Sequence, residues 1–165
     1  MRFRKRMAAV VLFFCLLVLL YPQSGALSKR PIDEQLLLSI EASVSPARLS
    51  RGQEGKVILN ISPQEGIFVN SQPYFTVEFD PSDELAFPKN FFSATDLEMG
   101  IIELEGINYL NLEEPIEIPF TVSLEASRGN HTLEGKVKFF AFSKKDGAVV
   151  KTATRFHAAF YTRGS

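Results

Sequence analysis

Few side chains in this sequence of 165 residues have the chemistry that nucleophilic or acid–base catalysis requires. Such catalysis needs a Ser, Cys or Thr nucleophile beside a base that a third group orients. His131 follows Asn130 at a turn signal, and His157 lies between Phe156 and Phe160 in an alternating run. If the two phenylalanines face a core, His157 faces outward. We therefore expect both histidines to be solvated surface residues, and we predict no catalytic site.

The acidic residues are numerous but form no recognisable metal or catalytic motif. The densest groups along the sequence are Asp80, Asp83 and Glu84, and then Asp96 and Glu98. Neither group has the alternating ligands or the glycine of a calcium-binding loop, so we assign both to turns and solubility. A carboxylate pair for glycoside hydrolysis stays open, because 19 acidic residues offer many pairs. The sequence predicts no metal ligand and no cofactor.

The amino terminus has the layout of a secretory signal peptide. A basic stretch precedes an apolar run at 7–20, and the small residues Ser24 and Ala26 follow. We expect residues 1–26 to be a helical signal peptide that is cleaved between Ala26 and Leu27, which would make the protein periplasmic or secreted. The apolar run of about 14 residues is short for a bilayer span of roughly 20. An uncleaved N-terminal anchor stays an alternative.

The single cysteine, Cys15, lies in the middle of that apolar run. It does not fit a lipid acceptor, because large residues at 12–14 precede it where small ones are needed. Cleavage would remove the only thiol, and thiol–disulfide exchange requires a sulfur. Cleavage would also leave 14 of the 18 Lys and Arg and all 19 Asp and Glu, a net charge of −5. A mildly acidic domain has no basic field for nucleic acid.

After a short polar lead-in at 27–36, the pattern is that of β-strands. Apolar and polar residues alternate in about eight short segments, which turns rich in Gly, Pro, Asn and Asp separate. No segment of 11 or more residues has helical periodicity. These features predict one all-β domain over 37–165 with an antiparallel β-sandwich fold.

Three segments carry more specific expectations. Residues 133–142 should form a long strand with alternate residues buried, and Asp146-Gly147 predicts a hairpin turn after it. In the segment 115–124, two prolines predict that the first half lies at a sheet edge. Alternation in the same segment places Leu124 on the buried face.

The adjacent pair Phe91 and Phe92 lies in the irregular stretch 80–99. Two exposed aromatic side chains there would form a contact patch for a partner. Alternatively, the loop folds both rings over one end of the sandwich. The sequence leaves both interpretations open.

The order of three segments resembles that of a known family. The first segment is 55–73 (GKVILNISPQEGIFVNSQP) and the third is 136–142 (KVKFFAF). The second is 103–134, whose matching residues are Leu104-Glu105-Gly106, Pro119-Phe120-Thr121-Val122, Gly129 and Leu133-Glu134-Gly135. Over roughly residues 38–162, the chain resembles the N-terminal periplasmic domain of the thiol:disulfide interchange protein DsbD, as a divergent stand-alone relative.

The resemblance implies an immunoglobulin-like fold that passes electrons through two cysteines flanking a hairpin, under a protective cap loop. The corresponding positions are Phe142 and Ala148, and neither is a cysteine. The reaction of the family therefore cannot transfer to this chain, although the fold can. The cap would fall within 80–93, where Phe91 and Phe92 would cover the hairpin.

From these observations we expect an exported, non-catalytic binding or adaptor domain whose partner is a protein of the cell envelope. We expect no nucleic-acid ligand and, after cleavage, no membrane association. Two alternatives stay open: a docking subunit for a membrane thiol–disulfide reductase system, and a carboxylate-based hydrolase.

Overall fold

A computed structural model describes residues 37–72 and 74–163, and every regular element within these ranges is a β-strand. Within the same ranges, no helix is long and apolar enough to cross a membrane. The expected signal peptide over 1–26, its cleavage between Ala26 and Leu27, and the lead-in at 27–36 lie outside the described residues.

Twelve strands follow one another along the described part of the chain. They are β1 (Leu38–Ser45), β2 (Arg48–Ser50), β3 (Glu54–Pro63), β4 (Ile67–Val69), β5 (Thr76–Phe79), β6 (Leu85–Ala86), β7 (Phe91–Ser93), β8 (Ile101–Leu104), β9 (Ile107–Leu110), β10 (Ile116–Val122), β11 (Gly129–Ser143) and β12 (Val149–Arg163). The count exceeds the predicted total of about eight mainly because β2, β6 and β7 have only two or three residues each, too few for an alternating pattern.

Two sheets pack face to face as an immunoglobulin-like β-sandwich, which confirms the predicted fold class. The first sheet has the order β1-β3-β10-β6, and the second has the order β2-β12-β11-β5-β7, with β4 also paired to β11. All neighbours are antiparallel except β2 and β12, which are parallel. Strands β8 and β9 form a separate two-stranded sheet, which we call the ribbon.

The chain changes sheets between β1 and β2. β1 pairs with β3 in the first sheet, and after the cis peptide bond Ser45–Pro46 the chain joins the second sheet beside β12. The amide of Tyr161 donates to the carbonyl of Ala47 at 2.9 Å and closes this junction. The two sheets are therefore tied together at one edge by a continuous stretch of backbone.

Period-two alternation produces the core between the sheets. On β11, the buried residues are Leu133, Gly135, Val137, Phe139 and Ala141, as the sequence predicts. On β10, the buried residues are Ile116, Ile118, Phe120 and Val122. Leu124 is a correction, because β10 ends at Val122 and the alternation ends with it, which leaves this side chain 73% exposed.

Phenylalanine rings fill the end of the core near β5 and β6. The rings of Phe79 and Phe87 stack with their centroids 4.0 Å apart and their planes at 8°. Phe92 and Phe156 each meet Phe79 edge-on, at centroid distances of 6.2 and 5.8 Å. These are preferred geometries for aromatic pairs, so the cluster contributes to stability beyond the area that it buries.

The edge predicted for β10 is confirmed. β6 pairs only with Thr121 and Val122, so within the described residues the first half of β10 pairs with β3 alone. Pro119, which has no backbone N–H, lies in this half and costs the sheet no hydrogen bond on its open side.

Candidate functional site

The two histidines occupy different environments. His157 is exposed and lies opposite Glu134 on the outer face of the second sheet, as the sequence predicts. The prediction is wrong for His131, whose side chain is only 12% exposed. Its ring stacks on Phe160 at 5.0 Å, and its Nε2 lies 2.9 Å from the carbonyl oxygen of Ser127. His131 therefore packs at the end of the core, which its turn-like sequence context does not reveal.

The acidic groups singled out in the sequence have separate structural contacts. Asp80 accepts a hydrogen bond from Nη2 of Arg155 at 2.6 Å, across the outer face of the second sheet. Glu84 Oε1 lies 3.7 Å from Nδ1 of His131. Across the described residues, no three His, Cys, Asp or Glu side chains lie close enough to hold a metal ion.

Asp96 organises a single tight turn after β7. Its carboxylate accepts hydrogen bonds from the Ser93 backbone N–H at 2.9 Å and from the Ser93 hydroxyl at 2.7 Å, and it pairs with Lys89. Lys89 first, and then the two Ser93 donors, hold the pKa of Asp96 far below its ordinary value. The turn ends at Glu98, whose backbone φ of 50° lies in the left-handed region that favours glycine.

The turn between β11 and β12 is a hairpin, as Asp146-Gly147 predicts. The amide of Ser143 donates to the carbonyl of Ala148 at 2.9 Å, and Gly147 has a φ of 67°. Phe142 and Ala148, the positions that correspond to the redox cysteines in the DsbD resemblance, therefore lie on the two sides of this turn. The structure places the ring of Tyr109, from β9, 5.9 Å from the ring of Phe142.

Phe91 and Phe92 do not form one patch. Both belong to β7, which pairs with β5 and not with the β11–β12 hairpin. Successive residues of a strand point to opposite faces, so Phe92 enters the core at 5% exposure while Phe91 is 54% exposed. The ring beside Phe142 comes from β9 instead of from residues 80–93. A contact role for Phe91 stays a prediction.

The ribbon is the feature whose role the sequence did not reveal. It turns at Glu105 and Gly106, which have φ values of 54° and 77°, and its strands pair in the register Leu104↔Ile107 and Ile102↔Tyr109. Positive φ at both turn residues is the geometry of a type I′ hairpin, which matches the twist of the two strands.

Tyr109 and its neighbours attach the ribbon to the sandwich. The Tyr109 ring is 2% exposed and lies 5.0 Å from the ring of Phe68 on β4. The amide and the hydroxyl of Ser71 both donate to the carbonyl of Asn108, at 3.3 and 3.1 Å. Leu110 is also buried. β9 therefore faces the body of the domain, and β8 lies on the outer side of the ribbon.

The ribbon carries exposed apolar side chains on both faces. Ile101 is 60% exposed, Ile102 45%, Leu104 37% and Ile107 47%. These four are half of the eight large apolar side chains that are exposed in the described residues. Scattered exposed apolar residues are normal, but four of them on one hairpin form a patch of the kind found at contact sites.

A cleft of about 610 Å³ adjoins the ribbon. Its apolar lining includes Phe75, Met99, Ile101 and Leu110, so the cleft and the ribbon share Ile101. Among its described lining residues, Glu98 is the only carboxylate. The volume lies within the usual range for a binding cleft.

The chain around the ribbon is acidic. Residues 95–118 contain seven carboxylates and neither Lys nor Arg. The carboxylates are Asp96, Glu98, Glu103, Glu105, Glu113, Glu114 and Glu117. Lysines from outside this segment approach Asp96, Glu117 and Glu105. In the part of the chain that the structure describes, no cation lies within ion-pair distance of the other four, so this surface has an excess of negative charge.

Comparison with known proteins gives limited similarity. No protein-family model matches the chain, and a search of curated proteins returns no significant match. Among solved structures, the chain is similar to the seventh ScaB type I cohesin of Pseudobacteroides cellulosolvens, at 14% identity and a TM-score of 0.41, over 76% of this chain and 93% of that one.

Two further structures show a similar degree of likeness. One is the OlpA cohesin in a cohesin–dockerin complex from Clostridium thermocellum, at 16% identity and a TM-score of 0.38, over 76% of this chain and 99% of that one. The other is a conjugative transposon lipoprotein from Bacteroides eggerthii, at 12% identity and a TM-score of 0.35, over 75% and 96%. At these values the likeness carries no conclusion about the partners of this chain, and the relation to the DsbD domain stays a prediction.

Proposed function

We propose that this protein is an exported, non-catalytic binding or adaptor domain that contacts a protein partner of the cell envelope through the ribbon and the adjoining cleft. The observation that carries the proposal is the exposure of Ile101, Ile102, Leu104 and Ile107 on one hairpin. Export rests on the signal-peptide pattern of residues 1–26.

Folding alone does not account for these side chains. A two-stranded hairpin is at best marginally stable by itself, and here the buried residues Tyr109 and Leu110 attach it to the sandwich. The exposed parts of the isoleucine side chains contribute nothing to that attachment. Covering Ile102 and Ile107, which are 45% and 47% exposed, would contribute about 1 kcal/mol each to a complex, half the value of a fully buried side chain.

The cleft supports binding better than hydrolysis. A glycoside hydrolase needs two carboxyl groups about 5–9.5 Å apart across the scissile bond. Glu98 is the single carboxylate among the described residues that line this cleft, and its other polar lining groups are hydroxyls and an amide. With one carboxylate among its described lining residues, this cleft favours a binding role over the hydrolase alternative.

A docking role beside a membrane thiol–disulfide reductase is the second candidate. It rests on the DsbD resemblance, and the placement of Phe142 and Ala148 at a hairpin turn is compatible with it. Such a subunit would supply contacts without thiols. If this role holds, the partner that the ribbon captures is a membrane protein with a redox-active cysteine pair, which trapping with a thiol reagent would identify.

Replacing exposed residues of the ribbon tests the binding proposal. The change is the double substitution Ile102→Ser and Ile107→Ser, and the matched control is Leu124→Ser, which removes an equally apolar side chain that is 73% exposed elsewhere. Each tagged protein is incubated with envelope extract, and the affinity for the captured partner is then measured.

We expect the ribbon variant to bind about 30-fold more weakly, from the loss of about 2 kcal/mol. The control should bind like the unaltered protein. Equal binding by the ribbon variant, or an equal loss in the control, would refute the proposed contact surface.

A further inference from the structure

Resting on the proposed function, we propose that the partner binds by strand addition: an extended segment that alternates apolar and basic residues pairs with the free edge of β8. The direction of the backbone N–H and C=O groups along the ribbon determines which strand edge is free to pair.

Hydrogen-bonded and non-hydrogen-bonded pairs alternate along an antiparallel ladder. The two-residue turn makes Leu104↔Ile107 a hydrogen-bonded pair, so Ile102↔Tyr109 is the next one. The Asn111 amide donates to the carbonyl of Gly100 at 2.8 Å, which continues the series. The pairs between them, Glu103↔Asn108 and Ile101↔Leu110, are non-hydrogen-bonded pairs. Their backbone N–H and C=O groups point away from the ribbon.

Contacts on β9 agree with this assignment. Asn108 lies opposite Glu103 in a non-hydrogen-bonded pair, and its carbonyl accepts from Ser71, outside the ribbon. On β8, the N–H and C=O groups that point away from the ribbon belong to Ile101 and Glu103. All four residues of β8 are exposed, and β9 is their one strand neighbour in the described part of the chain. Ile101 and Glu103 therefore present two N–H and two C=O groups to solvent.

β1 and β7 also end their sheets, but two other strands with partly open edges carry features that discourage pairing. The open half of β10 contains Pro119. β12, which pairs with β2 only at its last three residues, carries Lys151 and Arg155 along its open part. Charged residues and proline are the usual protection of an edge strand. β8 has the sequence Ile-Ile-Glu-Leu, with neither Lys nor Pro, and stays open to an added strand.

The side chains of an added strand would lie beside both apolar and acidic side chains of the ribbon. On one face of β8, Ile101 adjoins the cleft with Phe75 and Met99, and Glu103 lies two residues further along. On the other face are Ile102 and Leu104. An added strand that alternates would therefore place its basic residues on the face of Glu103 and of the cleft, which Glu98 also lines, and its apolar residues on the face of Ile102 and Leu104.

Charge decides between possible occupants. Edge-to-edge pairing with a second copy of the chain would bring two acidic segments 95–118, each with seven carboxylates and neither Lys nor Arg, close together. Like charges also oppose contact with an anionic membrane surface. A segment that carries Lys or Arg meets neither obstacle and gains from the excess negative charge. The occupant is therefore a basic, extended protein segment.

The direct test uses hydrogen exchange with a defined probe. The purified protein is titrated with acetyl-(Lys-Val)4-amide, and acetyl-(Glu-Val)4-amide is the matched acidic peptide. We expect the basic peptide alone to bind, more weakly in 0.5 M than in 0.05 M salt. The amides of Ile101 and Glu103 should then exchange at least about tenfold more slowly, while the Ile102 amide, already bonded within the ribbon, changes little.

Three variants separate the backbone contribution from the charge. Glu103→Gln should weaken peptide binding only about twofold to fivefold. Glu103→Pro, which removes the outward N–H and no hydrogen bond of the ribbon, should weaken it at least about tenfold. If that variant does not fold, Ile101→Lys tests the same edge with the backbone unaltered, and it too should weaken binding of the basic peptide.

Several outcomes overturn strand addition. They are a lack of basic-peptide binding, binding without protection of the two amides, and full binding by both Glu103→Pro and Ile101→Lys. Protection of these amides in concentrated protein without peptide, together with dimer formation in sedimentation, would instead assign the edge to a second copy. If the ribbon isoleucines still matter for the envelope partner, the proposed contact surface survives although strand addition fails.

Discussion

Gly135 gives the sharpest test of the register on which the sandwich depends. It lies on the inner face of β11, opposite Phe79 of β5 and Phe156 of β12. A Cβ atom added there would lie 2.6 Å from the carbonyl oxygen of Glu78 and 2.6 Å from Cζ of Phe156. Both distances are shorter than Cβ contacts in real proteins, so Gly135→Ala must displace a backbone or a ring.

The expected cost follows from which atoms must move. The oxygen of Glu78 belongs to β5, whose backbone is held between β11 and β7, so it cannot yield without disturbing two ladders. Overpacking a core by one methyl group costs about 1–3 kcal/mol. Alanine also restricts the unfolded chain, which offsets about 0.4–1 kcal/mol. Because the Glu78 oxygen cannot yield, we take an overpacking cost near the upper end of its range, about 3 kcal/mol. After the offset from the unfolded chain, the free energy of unfolding falls by about 2 kcal/mol.

Thermal and urea unfolding measure this loss, and Gly100→Ala is the matched control. A Cβ at Gly100 would meet Asn111 Cβ at 3.4 Å, an ordinary contact, so the control should stay within about 0.5 kcal/mol of the unaltered protein. Gly135→Ala should lower Tm by about 4–8 °C.

A second substitution tests the cause of the loss. Phe156→Leu, made together with Gly135→Ala, removes the crowded ring but leaves the Glu78 oxygen in place. The double variant should therefore lose less stability than the sum of the two single variants, by at least about 0.5 kcal/mol. Additive losses, or a Gly135→Ala protein whose Tm equals that of the control, would mean that Gly135 does not lie between these two groups.

Three further substitutions have expected outcomes of defined sign. The pKa of Asp96 is lowered in the folded protein, so its charge stabilises the fold above the ordinary pKa of an aspartate. This contribution is lost as the pH falls through the folded pKa. Asp96→Asn should therefore flatten the acid limb of a plot of Tm against pH. Glu98→Gly should raise the free energy of unfolding by up to about 1 kcal/mol, because glycine relieves the φ of 50°, and an unchanged or lower value in urea unfolding would contradict this. Thr162 is fully buried, and its hydroxyl has no hydrogen-bond partner among the described residues. Thr162→Val should therefore stabilise the protein by about 1 kcal/mol, as measured by calorimetry. A loss of stability would indicate that the hydroxyl has a partner.

The sequence predicted those parts of the fold that depend on local patterning. Alternation over 133–142 identified the buried face of β11, because a strand with one buried face must repeat every two residues. Asp146-Gly147 identified the hairpin after it, since the turn requires positive φ. Pro119 identified an edge, because proline cannot donate to a neighbouring strand.

Features that depend on distant parts of the chain could not be predicted in this way. His131 is covered by Phe160, which the long β11–β12 pairing places beside it across 29 positions of sequence. The irregular stretch 80–99 supplies strands of two and three residues that exist only through pairing with β10 and β5. The apolar residues of β8 predicted a strand, but no local signal tells whether such a strand is covered.

Attachment and contact are separate functions within the ribbon, and this separation decides which variants are informative. Tyr109 is buried against Phe68 and Phe142, so its loss would release the ribbon and lower stability and binding together. Ile102 and Ile107 are about half exposed, so their loss would weaken a complex through the exposed half and lower stability, by less than the loss of Tyr109, through the buried half. Weaker binding by a variant that stays folded with a modest loss of stability is therefore the signature of a contact surface, and weaker binding with a large loss of stability is the signature of its attachment.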